Sequence, residues 1–188
     1  MESRRLVVGL SGASGAVYGI RLLEVLAGRP DVETHLVVSR AAGLIIARES
    51  ERTVKEIEKL ADVAYRPDDL AAPIASGSFS TAGMVIAPCS IKTLSAVANS
   101  FAADLIRRAA DVTLKERRPL VLLVRETPFH LGHLRLMARA TEMGATILPP
   151  IPAFYGHPQT IGDLVDETLG RALSHAGIEN DLYTRWEG

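Results

Sequence analysis

Leu6-Val7-Val8-Gly9-Leu10-Ser11-Gly12-Ala13-Ser14-Gly15 runs directly into Ala16-Val17-Tyr18-Gly19-Ile20-Arg21-Leu22-Leu23, and the fold turns on this stretch. A short apolar, β-branched run stops at glycine and serine, and a helical pattern begins at once. Strand, tight glycine turn and helix N-terminus form the unit that holds phosphate or a nucleotide-like cofactor in open α/β sheets. The glycines admit close approach to the backbone, and the first helical N–H groups lack partners. The spacing here is Gly9-x-x-Gly12-x-x-Gly15, which is neither the G-x-G-x-x-G dinucleotide fingerprint nor a P-loop ending in G-K-[ST]. A plain tight turn is the alternative. The second strand ends Val37-Val38-Ser39-Arg40, without the acid that holds an NAD ribose. That argues against NAD, and leaves NADP or a flavin mononucleotide.

Working outward, strands and helices alternate. Strands are expected at about 4–9, 33–38, 84–87, 120–124 and 145–148, with a small one at 63–65. Helices are expected at about 15–27, 41–49, 53–60, 90–98, 103–116, 131–143 and 161–176. Thr53 with Glu56 three residues on is a capping box. Residues 62–83, with Pro67, Pro73 and Ser76-Gly77-Ser78, read as a long functional loop. The tail Asp181-Leu182-Tyr183-Thr184-Arg185-Trp186 reads as a packing arm. Alternation implies an α/β, doubly wound, mostly parallel sheet, a Rossmann/flavodoxin-like three-layer sandwich, with one domain over 1–188. Ligands then sit at the carboxyl ends of the strands.

Composition sets bounds. The chain has 188 residues, 47% of them hydrophobic, enough for a sizeable core. A net charge of −1 gives no footprint for nucleic acid or an anionic membrane. The lone Cys89 permits no internal disulfide, and no run approaches a membrane span, so a cytoplasmic protein is expected.

Several groups can carry chemistry. Ser90-Ile91-Lys92-Thr93 again follows a buried strand and opens a helix; Ser90 is a natural N-cap, and both hydroxyls can face a phosphate. Cap plus solvated lysine is the plain reading. In the helix near 103–116, Leu105, Ala109, Val112 and Thr113 form a stripe, with Arg108 and Lys115 on one edge. These two cations bind a second anion or pair locally with Asp104, Asp111 or Glu116. Arg171 flanks the stripe Ile161, Leu164, Val165, Thr168, Leu169, Ala172 and Leu173, either with a specific acceptor or reaching to water. Tyr155 can donate to the same acceptor. Glu49 and Glu126 are candidate general acids or bases. Cys89 lacks an evident partner histidine, and His130 with His133 lacks the ligands to complete a metal set, so no metal is expected.

The segments G-L-S-G-A-S-G-A, S-R-A-A, A-S-G-S, P-C-S-I-K-T-L-S, R-A-A-D-V-T-L-K-E-R-R-P-L and R-E-T-P occur together from about Arg5 to Trp186. As a set they closely resemble the UbiX/Pad family of flavin prenyltransferases, formerly described as aromatic acid decarboxylases. The resemblance implies transfer of the dimethylallyl group of dimethylallyl phosphate to N5 and C6 of reduced FMN, without metal. The prenylated FMN would serve a UbiD-type decarboxylase, and the protein would be a homo-oligomer, typically a dodecamer. It places Gly12, Ala13, Ser14, Ser39 and Arg125 against FMN and Ser90, Ile91, Lys92 and Thr93 around its phosphate. Arg108, Lys115, Arg125, Tyr155 and Arg171 would hold the prenyl phosphate. Ser14 and Glu49 would relay a proton near N5, and Glu126 would assist proton removal or phosphate departure. One departure is Asp69-Leu70-Ala71-Ala72-Pro73, where some relatives carry an aromatic residue; it implies a differently shaped prenyl pocket. Two rival functions are a flavin-dependent decarboxylase of aromatic or cysteinyl substrates and a non-catalytic FMN carrier, which leaves Arg108, Lys115 and Arg171 without a task.

Overall fold

Strands that are apolar on both faces need helices on both sides of the sheet. The structure is a computed structural model that describes residues 3–185. Its strands are β1 Arg4–Leu10, β2 Val32–Val38, β3 Val63–Tyr65, β4 Gly83–Cys89, β5 Leu120–Val124 and β6 Ala145–Ile147. They form one sheet in the order β3-β2-β1-β4-β5-β6, with every neighbouring pair parallel. The helices are α1 Ala16–Leu26, α2 Arg40–Glu49, α3 Val54–Glu58, α4 Ile91–Ala98, α5 Leu105–Lys115, α6 Leu131–Glu142 and α7 Ile161–His175. Leu6, Val8 and Leu10 of β1 point to one face, into a core with α1, α2, α3 and α7. Val7 points to the other, where Met84 and Ile86 of β4 pack with α4, α5 and α6. This is the doubly wound sandwich expected from the alternation of strands and helices.

The chain builds outward from β1 to β3 and then returns to lay β4 on the other side of β1. Loops after β1 and β4 therefore diverge to opposite faces and leave a crevice between them, the switch point where such sheets take ligands. Gly15 closes the turn after β1 with φ 98°, a conformation that glycine adopts without the steric cost of a Cβ. Helix starts follow local chemistry. Ser39 Oγ accepts from Ala42 N–H at 3.0 Å, and Ser90 Oγ from Thr93 N–H at 3.2 Å. The Thr53–Glu56 capping box is present.

Several details differ from the expectation, among them the strand expected at 84–87, which runs over Gly83–Cys89. The helix expected over 53–60 closes at Glu58, because its last residues form a tighter turn into β3. The loop 62–83 contains, besides β3, a single 3₁₀ turn over Pro73–Ala75. Ile161 is 79% exposed although it continues the α7 stripe, since it lies on the first turn of the helix, while the buried stripe begins at Val165. The arm packs back on α7: Asn180 Nδ2 donates to the Gly170 carbonyl at 3.0 Å, and a Cβ on Gly170 would stand 2.6 Å from the Tyr183 ring. Trp186 lies outside the described residues. No helix among them is long and apolar enough to cross a membrane.

Candidate functional site

At the carboxyl end of the sheet, Ser11 joins the two sides of the crevice. Its buried Oγ donates to the Pro88 carbonyl at 2.9 Å and accepts from Ser90 N–H at 2.8 Å. This bond pair fixes the β1 turn against the start of α4. Beside it opens a cavity of about 420 Å³ whose walls include Gly12, Ser39, Ser90, Lys92, Thr93 and Arg107. A Cβ on Gly12 would collide with that of Ala41, so bare backbone forms this wall. Ser90 Oγ and Thr93 Oγ1 stand 3.1 Å apart at the helix start, with Lys92 between them in sequence. Asp104 holds Arg107 by a 2.9 Å ion pair on the opposite wall. Two hydroxyls, a helix N-terminus and three cations, Arg40, Lys92 and Arg107, set against Asp68 and Asp104, suit a phosphomonoester, and the volume suits a mononucleotide. The set therefore fits FMN. Ala13 lies within the turn, its N–H on the Ser11 carbonyl at 2.9 Å, and Ile91 packs against the core beneath α4; neither lines the cavity.

Ser14 opens a second cavity, of about 360 Å³, with Tyr18, Arg125, Glu126, Phe129 and the prolines at 149, 150 and 152. Arg125 is placed by its own N–H, which donates to the Cys89 carbonyl at 3.0 Å across the ends of β4 and β5. Glu126 accepts from Thr127 N–H at 3.0 Å. Glu49, at the end of α2, reaches back to the start of α1. One carboxylate oxygen accepts from Gly15 N–H at 2.8 Å and Ala16 N–H at 3.0 Å. Desolvation opposes its charge. Hydrogen bonds from Ser14 and those two amides, together with Arg125, outweigh that and lower its pKa. Glu49 is thus an ionised carboxylate bonded to Ser14. Burial raises the Tyr18 pKa against a smaller opposite pull from Arg125, so the phenol remains protonated.

Arg171 lines a third cavity, of about 330 Å³, with Glu167 and Thr168; it shares Pro149, Ile151 and Pro152 with the second. Tyr155 follows in the same proline-rich loop. The other two expected prenyl-phosphate cations are elsewhere. Arg108 donates through Nε to the Ala75 carbonyl at 3.0 Å and pairs with Asp111 at 3.1 Å, while Lys115 pairs with Glu116. The local pairing left open by the sequence is what the chain adopts. Lys115 lies eight residues beyond Arg107, about 12 Å down the axis of α5 and away from the crevice. The cations expected to act together thus fall into two groups within one chain: Arg125 and Arg171 in one, Arg108 and Lys115 in the other.

Cys89 is fully buried and its thiol is pushed up to about 12, which makes it inert packing. His130 caps α6 by accepting from Gly132 N–H at 3.0 Å, and its ring packs at a tilt of 35° against that of His133. Sequence reasoning passed over Arg107 and Tyr18. Arg107 neighbours the more conspicuous Arg108 and was hidden by its N-terminal pairing with Asp104. Tyr18 stands four residues after Ser14, on the first turn of α1, which was the available signal.

A parallel sheet with a hydroxyl-lined pocket at its switch point and no acid at the end of β2 fits a mononucleotide-binding flavoprotein, and the Flavoprotein family model matches residues 1–173. The chain is 56% identical over 187 residues to the flavin prenyltransferase UbiX of Escherichia coli K12, spanning 98% of this chain and 99% of that relative. A solved UbiX (PadA1) in complex with FMN and dimethylallyl pyrophosphate superposes with TM-score 0.95 at 46% identity, covering 100% of this chain and 99% of that one. A dodecameric FMN-dependent UbiX-like decarboxylase from E. coli O157:H7 gives TM-score 0.94 at 45% identity, covering 98% and 100%. The chain belongs to the UbiX family of flavin prenyltransferases.

Proposed function

We propose that this chain joins the dimethylallyl group of dimethylallyl phosphate to N5 and C6 of reduced FMN and delivers the prenylated FMN to a UbiD-type decarboxylase. The observation that carries this reading is the adjacency, across one turn, of the Gly12–Ser90–Thr93 pocket and the cavity holding Ser14 and Arg125, itself bordering that of Arg171. In this reading Ser90, Thr93, Lys92 and the first N–H groups of α4 hold the FMN phosphate, Gly12 and Ser39 border the ring system, and Arg125 reaches the flavin edge. Reduced FMN supplies the nucleophilic nitrogen and carbon.

As the allylic C–O bond breaks, its electron pair leaves on phosphate oxygen, and the Arg and Lys set stabilises the growing charge without a metal. Glu49, ionised and bonded to Ser14, accepts the N5 proton through that hydroxyl as the N–C bond forms. That proton ends on the released phosphate. On ring closure the C6 proton is lost and the allyl double bond gains one, with Glu126 serving this exchange. No charge or atom is left over. Each chain acts as one FMN-binding domain in the cytoplasm, within a homododecamer.

The division of the cations gives the oligomer a task. Arg125, Tyr155 and Arg171 of one copy meet Arg108 and Lys115 of another, so that the prenyl-phosphate site is composite. Co-expression of Lys115→Ala with Arg171→Ala chains tests this. Each variant alone is expected to be inactive with FMN still bound, and the mixed oligomer to regain a fraction of turnover. No recovery in a mixed oligomer of normal size would place all five groups on one chain's work.

A further inference from the structure

The R-A-A-D-V-T-L-K-E-R-R-P-L block contains two cations with no role so far, Arg117 and Arg118. α5 ends at Lys115 in a reversed turn: Arg117 adopts φ 54°, Arg117 N–H donates to the Leu114 carbonyl and Arg118 N–H to the Thr113 carbonyl, each at 2.9 Å. This exit turns the Arg118 side chain back along the helix. Its half-buried guanidinium donates to the Gly77 carbonyl and the Phe79 carbonyl, both at 2.8 Å. Arg108 Nε holds the Ala75 carbonyl of the same segment. The far end of the segment is anchored by the Phe79 ring, with Arg5 stacked 4.8 Å from its centre and the buried His35 ring at its edge.

Held in this way, Gly77 lies directly against the ends of Lys115 and Glu116. A Cβ at residue 77 would stand 2.5 Å from Lys115 Nζ and would overlap the Glu116 carboxylate. Gly77 has no positive φ, and a side chain there would displace the ends of Lys115 and Glu116.

We propose that Arg118 is a positioning residue for the prenyl-phosphate site: its fork on the Gly77 and Phe79 carbonyls clamps the 75–79 segment as a wall that sets where the Lys115 ammonium stands. The inference rests on the reading of Lys115 as a phosphate-binding group. Arg118 itself touches neither substrate. A lysine cannot replace it, because one ammonium does not span two carbonyls with the planar geometry of a guanidinium.

The test measures the KM for dimethylallyl phosphate, kcat, FMN affinity and melting temperature in the intact oligomer. Arg118→Ala and Arg118→Lys are each expected to raise that KM by about tenfold or more, with FMN affinity unchanged within about twofold. Millimolar guanidinium is expected to lower the KM of Arg118→Ala again, which a merely structural loss would not allow. Gly77→Ala serves if Arg118→Ala does not fold, since its methyl meets only the movable ends of Lys115 and Glu116; the same selective rise is expected. An unchanged KM in the folded variants, or equal losses for both ligands, overturns the inference. Lys115→Ala separates the two layers. If it abolishes turnover with FMN still bound while Arg118→Ala leaves the KM unchanged, the positioning role alone fails; if it leaves turnover and KM unchanged, the phosphate reading fails and the positioning role with it.

Discussion

Replacement of Glu49 separates its structural task from the proton relay proposed for it. Its carboxylate oxygen receives the N–H groups of Gly15 and Ala16, the first donors of α1, from 34 and 33 residues away in sequence. It is therefore a remote substitute for an N-cap, and no side chain of the Gly15 cap itself does this work. Charge-assisted hydrogen bonds contribute about 1.5–3 kcal/mol against about 0.5–1.5 for neutral ones. Glu49 is exposed, so water screens the charge and the lower ends of these ranges apply. Glu49→Gln, which keeps an acceptor, is expected to cost about 1 kcal/mol, and a chain of this size loses about 2–4 °C in Tm per kcal/mol. The acid limb changes as well. Because folding lowers the Glu49 pKa, its stabilisation is full above the unfolded value of about 4.3 and is lost as pH falls through the folded value. The Gln variant is expected to lack that loss. Turnover behaves differently, since removal of a positioned base slows proton transfer by about 10²–10⁴-fold. The assay is anaerobic single-turnover formation of prenylated flavin beside calorimetric melting at several pH values. A Gln variant within about threefold of the parent rate would refute the relay and leave Glu49 as a cap alone.

Other perturbations follow from the same geometry. Ser90→Ala removes both the α4 cap and the hydroxyl proposed to hold the FMN phosphate, and is expected to weaken FMN binding by about tenfold in a fluorescence titration, at a helix cost of about 1 kcal/mol. Unaltered affinity would move the FMN phosphate elsewhere. Cys89 is expected to resist alkylation at pH 8 in the folded protein and to react once unfolded, since its thiol is buried and pushed up to about 12. His35 is buried on β2, bonded to Glu33 and to the Tyr65 hydroxyl. Burial lowers its pKa, with Glu33 and Asp62 opposing and Arg5 assisting, so the unfolded chain takes up its proton first. Stability should therefore fall as pH drops below about 6.5, and His35→Leu should flatten that fall in urea titrations.

The parts legible in the sequence were those set by local chemistry. Leu120–Val124 is a strand to the residue, because a basic, proline-marked turn precedes it and Arg125 follows. Ser90 and Thr53 announced their helices because capping needs only a side chain and an amide three residues on. The resemblance of the whole set of segments named the family. Relations across the sheet were not legible. A helical wheel puts Arg108 and Lys115 on one edge, yet cannot say that Arg107 faces the crevice while Arg108 turns to the Ala75 carbonyl. Nor does any local pattern bring Glu49 to Gly15, or Arg118 to Gly77, since those contacts exist only after the strand order places their loops together.

The central claim is tested most directly by the mass of the flavin. Anaerobic incubation of the protein with reduced FMN and dimethylallyl phosphate, without added metal, is expected to yield a flavin heavier by one five-carbon unit together with an equal amount of inorganic phosphate. Unchanged flavin from folded, FMN-loaded protein, or release of carbon dioxide from an aromatic acid by the chain alone, would contradict it.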